Sequence, residues 1–323
     1  MKRTIFALLM AASVAMVILL GLSIGPVPIS FFHMSPAERE ILVDLRLPRV
    51  LSAFLVGGGL ALAGAIFQGL FRNPLADSYL LGVSSGASLG AAAALVLNLA
   101  SPLASFAAVS VFAWVGSLGA LALVFYFGHR AGSFSILRLL LSGLGVGLFL
   151  SSLVAVFMLL AGDELKALIF FFLGGFATSS WDTAWVALAC IPAAVCFACF
   201  YAADLNVLLL GEETAQTSGV RSGQVQLLYA IVAALLTSIS VSVAGLIGFV
   251  GLIVPHMIRL ISGADHRTLF PLTFLTGGIF LVLSDAVART VLAPAELPVG
   301  IVTSLIGVPI FLYLIRNETG DWV

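Results

Sequence analysis

The sequence is a succession of apolar blocks, most of them roughly 20 residues long, separated by short polar breaks. About 20 apolar residues make a helix long enough to cross the hydrocarbon core of a bilayer. The blocks fall at residues 5–22, 50–71, 79–99, 104–127, 137–161, 182–202, 225–246, 249–262, 268–290 and 299–316. Lipid offers no water to pair with backbone N–H and C=O groups, so each block closes its own hydrogen bonds as a helix. The expected fold is all-α, a polytopic membrane protein with about ten transmembrane helices. Only 9% of the 323 residues are charged, against about 25% in a soluble domain. That is too few to cover a soluble protein of this length, which excludes a cytosolic enzyme, a nucleic-acid binder and a disordered chain. The formal net charge of −1 implies no general attraction to an anionic partner.

Lys2-Arg3 followed by Ile5 to Leu22 has an apolar run longer than a signal peptide requires, so it reads as an uncleaved first span. An even number of spans puts both termini on one side. With that side cytoplasmic, Lys2, Arg3, Arg72, Arg130, Arg138, Arg221, Arg259, Arg267 and Arg316 lie inside. Arg39, Arg46, Arg49, Lys166 and Arg289 lie outside, a balance that follows the positive-inside rule. Helices in lipid pack through small residues. Gly82, Gly86 and Gly90 recur every four residues on one face of the third span, and Gly143 and Gly147 mark the fifth. Residues 162–181 are too short to cross again and read as an outer re-entrant or interfacial segment. Residues 203–223 are the longest polar stretch on the inside, with Leu208 to Val220 forming one or two short helices that end at Gly219.

The rare residues narrow the chemistry. The two lysines, Lys2 and Lys166, belong to no GxxxxGK[ST] loop, so this chain does not bind ATP in that way. Cys190, Cys196 and Cys199 share one apolar stretch with no His or carboxylate beside them, and the four histidines have no ligand spacing, so no metal site is expected. The span centres are nearly free of charge. Asp285 and Arg289 are the deepest pair, four residues apart in the favourable order for a helix ion pair, while Gln68 and His256 lie towards the inner ends. A proton relay needs ionisable groups near the midplane, and an intramembrane enzyme needs a converging nucleophile and base. The pattern favours a pore subunit energised by a separate ATPase. The alternative is an ion-coupled secondary transporter or channel acting without one.

An ordered set of short segments carries a family resemblance. Leu45-Arg-Leu-Pro-Arg49 comes first, then Gly64-Ala-Ile-Phe-Gln68, Arg72-Asn-Pro-Leu-Ala76 and Leu81-Gly-Val-Ser-Ser-Gly-Ala87. Leu139-Leu-Leu-Ser-Gly143, Leu210-Gly-Glu-Glu-Thr-Ala215 with Gly219, and Gly248-Phe-Val-Gly-Leu-Ile-Val-Pro-His256 follow. The last are Glu296-Leu-Pro-Val-Gly300 and Gly307-Val-Pro309. Over about residues 40–316 the chain resembles the FecCD permease subunits of type II ABC importers, which import vitamin B12, haem and iron–siderophores.

The resemblance implies one permease domain over residues 1–323, with cytoplasmic coupling helices near 204–222. It also implies a homodimer in the bacterial inner membrane, two cytoplasmic ABC ATPase subunits holding ATP and Mg, and a periplasmic binding protein that delivers a metal chelate. No cofactor is expected in this chain. Arg46, Arg49 and Arg289 match basic residues that dock acidic residues of the binding protein; the plainer readings are interfacial anchors or internal pairs with Asp44 or Asp285. Gly211, Glu212, Ala215 and Gly219 match the ATPase-coupling helices. Asn73 and Leu75 match one cytoplasmic gate, and Ser135, Ile136 and Leu137 the other. For Asn73-Pro74 the plainer reading is a turn. The expected substrate is an iron–siderophore or haem, with cobalamin close behind.

Overall fold

The computed structural model describes residues 2–25, 27, 34–79, 81–97, 105–128 and 136–317. Among these residues, six helices are long and apolar enough to cross a membrane, and four further apolar helices have 10–17 residues. The ten correspond to the ten apolar blocks. With the short connecting helices included, α1 is Lys2–Ser23, α2 Pro36–Glu40, α3 Leu47–Phe71, α4 Val83–Val96, α5 Ser105–Gly128, α6 Ile136–Leu160 and α7 Leu165–Leu173. α8 is Trp181–Phe200, α9 Ala202–Leu209, α10 Glu212–Thr217, α11 Ser222–Ala244, α12 Val250–Ser262, α13 His266–Thr290 and α14 Val299–Asn317. A π-helical turn, Ile41–Arg46, leads from α2 into α3.

α3 is the axis of the bundle, buried without interruption from Leu55 to Leu70 and packed against α8, α11, α12 and α13. Its glycines make this possible, because small residues let helix backbones meet. A Cβ on Gly57 would overlap the Gly277 carbonyl of α13, and one on Gly64 would overlap the Gly251 carbonyl of α12. Phe54 and Phe274 meet edge-to-face across the same crossing, their rings 5.9 Å apart. The contacts Arg49–Asp285, Gly57–Gly277 and Gly69–His266 show that α3 and α13 run antiparallel along their full lengths. Each has 25 residues, which at 1.5 Å per residue is about 37 Å.

The glycines of the third span divide their work differently from the sequence expectation. Gly86 and Gly90 face α5, where a Cβ would strike the Gly116 and Phe112 carbonyls. Gly82 lies before the helix, in the left-handed region at φ 68°, and faces Gly143 and Gly147 of α6 instead. The helix begins only at Val83, so the regular four-residue spacing spans a turn as well as a helix.

α12 has 13 residues, about 20 Å, and cannot cross a core of about 30 Å alone. Residues 245–249 before it are unwound. Non-helical backbone at such depth must be satisfied by protein. Here Tyr79 does this: its hydroxyl donates to the Ile247 carbonyl and accepts from the Ile247 N–H, both at 2.8 Å. The Leu246 N–H donates to the Phe171 carbonyl of α7 at 3.2 Å. The short helix α7 thus supports this break as well as occupying the interfacial segment expected near 162–181.

Candidate functional site

Arg46, Arg49 and Arg289 converge where α3 begins and α13 ends. Arg49 donates through Nη2 to Asp285 Oδ1 at 2.8 Å and through Nε to the same carboxylate at 3.1 and 3.2 Å. Its Nη1 lies 2.9 Å from Glu296. Arg289 reaches Asp285 at 3.1 Å, forming the four-apart pair expected from sequence, and donates to the Gly21 carbonyl at 3.0 Å. Arg46 is only 5% exposed. It donates to the Leu22 and Ser23 carbonyls at 2.8 and 3.1 Å, and to Val27 O. Arg46 and Arg289 therefore satisfy carbonyls at the C-terminal end of α1, which the helix cannot satisfy itself and where its dipole favours a cation. Among the described residues Arg49 and Arg289 meet the two carboxylates, Asp285 and Glu296, while Arg46 bonds to carbonyls alone, so the cluster holds one excess positive charge (3 − 2 = +1). Glu296 lies in the Glu296-Leu-Pro-Val-Gly300 segment, and nothing in its spacing announces its partner 247 residues away.

At the opposite end of α3, Arg72 ends the helix in the left-handed region at φ 47°. Asn73 is exposed and its side chain accepts from the Leu75 N–H at 2.9 Å, closing a turn, while Leu75 is also exposed. Pro74 and Leu75 border a narrow crevice with Leu252, Ile253 and His256 of α12 and Phe311 and Leu314 of α14. Of the second gate group, Ser135 and the Ile136 side chain lie outside the described residues, and Leu137 at the start of α6 is exposed. The structure therefore brings Leu75 to a crevice between helices but brings no described residue of the second group to it.

The same loop carries a residue that the sequence reasoning passed over. Asp77 is the only charged side chain between Arg72 and Arg130, and that isolation was its one visible signal. The loop turns back into the bundle, so Asp77 Oδ1 and the Leu60 carbonyl both lie against Gly251, beside the middle of α3. Its carboxylate accepts from the Ser78 N–H and hydroxyl, at 2.6 and 3.1 Å. The spans themselves stay nearly uncharged at their centres, but a connecting loop sets a carboxylate beside them. Gln68 is explained by the same contact region. Pro255 has no N–H and leaves the Gly251 carbonyl without its helical donor. The Gln68 side-chain amide donates there at 3.4 Å and to the Leu252 carbonyl at 3.1 Å.

α9 and α10 form the polar segment expected near 204–222. Gly211 (φ 117°) separates them. Gly219 ends α10 at φ 78°, and the Val220 N–H closes a six-residue turn onto the Ala215 carbonyl at 2.9 Å, the arrangement that a left-handed glycine after a helix permits. Leu210 is 72% exposed, whereas Ala215 is 0% exposed and part of the core. The resemblance matches Ala215 to the ATPase-coupling helices, but its methyl faces its own chain and seats α10. The Glu212 side chain lies outside the described residues.

Two side chains, Arg72 and Asn206, tie α9 down. Arg72 Nη2 donates to the Leu208 carbonyl at 2.9 Å. The Asn206 carboxamide bridges to the start of α13, donating to Asp265 Oδ1 at 2.6 Å and accepting from the His266 N–H at 3.0 Å. Its oxygen is also 2.7 Å from His266 Nδ1. The Arg267 N–H and the Asn206 amide both donate to Asp265 and hold its carboxyl below the ordinary aspartate value.

A family model described as the FecCD transport family matches residues 9–317. The chain is 41% identical to the cobalamin import system permease protein BtuC of Halobacterium salinarum, over 89% of this chain and 76% of that one. It is also 41% identical to the hemin transport system permease protein HmuU of Yersinia pestis, over 87% of this chain and 85% of that one. A solved structure assigned to a metal-chelate type ABC transporter, in an inward-facing conformation, aligns with a TM-score of 0.89 at 31% identity, covering 98% of this chain and all of that one. The ten apolar helices and these matches together make the chain a multi-pass membrane protein and a member of the FecCD transport family of ABC importer permeases.

Proposed function

We propose that this chain is the membrane subunit of an ATP-driven importer for a metal chelate: an iron–siderophore, haem or cobalamin. It works as a homodimer in the bacterial inner membrane, with both termini cytoplasmic. A periplasmic binding protein delivers the chelate to the arginine end, and two ATPase subunits bind the α9–α10 end. The observation that carries this reading is the opposed placement of two surfaces on one helix pair. The arginine cluster, with its excess positive charge, lies at one end of α3 and α13, and α9–α10 with exposed Leu210 lies at the other. Arginine suits docking because its planar fork pairs bidentately with carboxylates. Asn73 and Leu75, with Ser135, Ile136 and Leu137, close the pathway on the ATPase side, where apolar side chains exclude water.

The test is uptake into proteoliposomes containing the permease, its ATPase and its binding protein, with cobalamin, haemin and a ferric siderophore offered in turn. Uptake of one chelate should require ATP and persist when the proton gradient is collapsed. A carboxylate at the depth of Asp77 is what an ion-coupled carrier would use. Gradient-driven uptake without ATP, abolished by Asp77→Asn, would replace the ATP-driven reading.

A further inference from the structure

Asn206 makes an unusual helix cap. The first N–H groups of an α-helix lack partners within it and are normally capped by the residue just before. Asp265 fills that role for the Arg267 N–H of α13, at 3.0 Å. The His266 N–H is instead capped from another helix, by the side chain of Asn206 on α9, which also grips Asp265 itself. The neighbouring turn of α9 is held by Arg72, the residue that ends α3. So α9 is fastened to both members of the antiparallel pair, to the end of α3 and the start of α13. At their other ends the same two helices are fastened to each other by Arg49 and Asp285. Between these ties the backbones touch at Gly57 and Gly277, with no side chain to absorb a relative shift. Packed, inelastic contacts of this kind pass displacement on.

We infer that Asn206 is the positioning residue that seats the α9–α10 segment on the α3–α13 pair, so that a displacement at the arginine end reaches that segment through these two helices. This rests on the proposed ATPase contact at α9–α10. Asn206 itself faces its own chain and touches no partner in this role. Its carboxamide suits the task because it donates to a carboxylate and accepts from an N–H at once. Alanine does neither.

The test uses the full complex of permease, ATPase and binding protein in proteoliposomes, and reads ATPase retention and the stimulation of ATP hydrolysis by the binding protein. Leu210→Glu examines the underlying contact alone: if the ATPase is retained as before, that contact is misplaced and the inference falls with it. Asn206→Ala should retain the ATPase, yet lose about fivefold or more of the stimulation, the low end of measured couplings between sites. Asn206→Asp should be as poor, because it sets two carboxylates together. Combining Asn206→Asp with Asp265→Asn should restore the wild-type stimulation, since the side-chain bond between positions 206 and 265 is rebuilt with its polarity reversed, while the His266 and Arg267 N–H groups still find side-chain oxygens to accept from them. Normal stimulation in Asn206→Ala, or a combined variant no better than Asn206→Asp, would overturn the inference. Should Asn206→Ala fail to accumulate, the comparison between Asn206→Asp and the combined variant decides alone.

Discussion

Arg49 reaches from α3 to Asp285 on α13, with 2.8 Å between Nη2 and Oδ1, and the side chains are 12% and 1% exposed. Asp285 also faces Arg289 at 3.1 Å, so one buried carboxylate serves two guanidinium groups. Asp285→Asn leaves those groups facing each other with Glu296 alone. Breaking a buried pair by removing one partner costs about 3–5 kcal/mol. Glu296 is 31% exposed, and Glu296→Gln should cost about 1 kcal/mol or less. Thermal unfolding of the purified protein should show a far larger fall in Tm for Asp285→Asn. Equal falls would show that Asp285 does not hold the cluster together.

Arg46→Lys tests the second duty of that cluster. The guanidinium fork reaches two carbonyls at the end of α1, Leu22 and Ser23, and that of Val27 beyond it, and an ammonium on a shorter head cannot span them. The variant should keep its charge but lose α1 anchorage. Hydrogen exchange should rise by about tenfold near residues 17–24, for a loss of about 1.4 kcal/mol in local opening. Unchanged exchange there would assign the anchorage to Arg289 alone.

Much of this was legible because lipid makes the apolar block a reliable unit: each of the ten blocks became a helix. The Asp285–Arg289 pair was legible for a similar reason, since helical spacing places those side chains together. The partner of Arg49 was not, because no local rule joins residues 236 positions apart. Asp77 was missed because a polar break between two spans reads as a surface turn, and only the fold shows it turning inward. Gly82 was misassigned because a four-residue spacing looks the same whether or not its first member lies inside the helix. For Ala215, the match to a coupling helix names the segment but not the neighbour that the methyl meets, which only the fold decides.

Gln68 and Pro255 should be energetically coupled. Gln68→Leu alone strips the donor from the Gly251 and Leu252 carbonyls and should cost about 1–3 kcal/mol. Pro255→Ala returns an N–H that can bond Gly251 within α12. In that background Gln68→Leu should cost about 1 kcal/mol less. A double-mutant cycle on unfolding in detergent measures this, and additive losses would mean that the amide does not replace the missing helical donor.

Gly64 and Gly145 make a matched pair of substitutions. A Cβ on Gly64 would overlap the backbone carbonyl of Gly251, which cannot rotate away, while one on Gly145 meets nothing within 4 Å. Gly64→Ala should lose at least about 3 kcal/mol, the upper end of ordinary overpacking, and most of the monodisperse protein. Gly145→Ala should be recovered at the wild-type level on size-exclusion chromatography. A well-folded Gly64→Ala would mean that α3 and α12 can separate more readily than their contact suggests.

Ala215 and Leu210 separate two ways of losing the ATPase. Leu210 stands 72% exposed between α9 and α10, so Leu210→Glu changes a surface and leaves the packing alone. Its thermal stability should stay within about 0.5 kcal/mol of the wild type, as for most surface changes. ATPase co-purification should fall about tenfold, as expected when about 1.4 kcal/mol of contact energy is removed. Ala215 is enclosed, and its carbonyl accepts from the Val220 N–H that closes the end of α10. Ala215→Arg drives a long charged side chain into that enclosure, and α10 must leave its seat to let the guanidinium reach water. This variant should also lose the ATPase, but together with rapid proteolysis between residues 203 and 223, which Leu210→Glu should not show. Ala215→Ser, small enough to stay in place, should keep both the protected loop and the ATPase. If Ala215→Arg released the ATPase while the loop stayed as protected as the wild type, its side chain would be meeting the partner directly, and the inward orientation of Ala215 would not persist in the assembled complex.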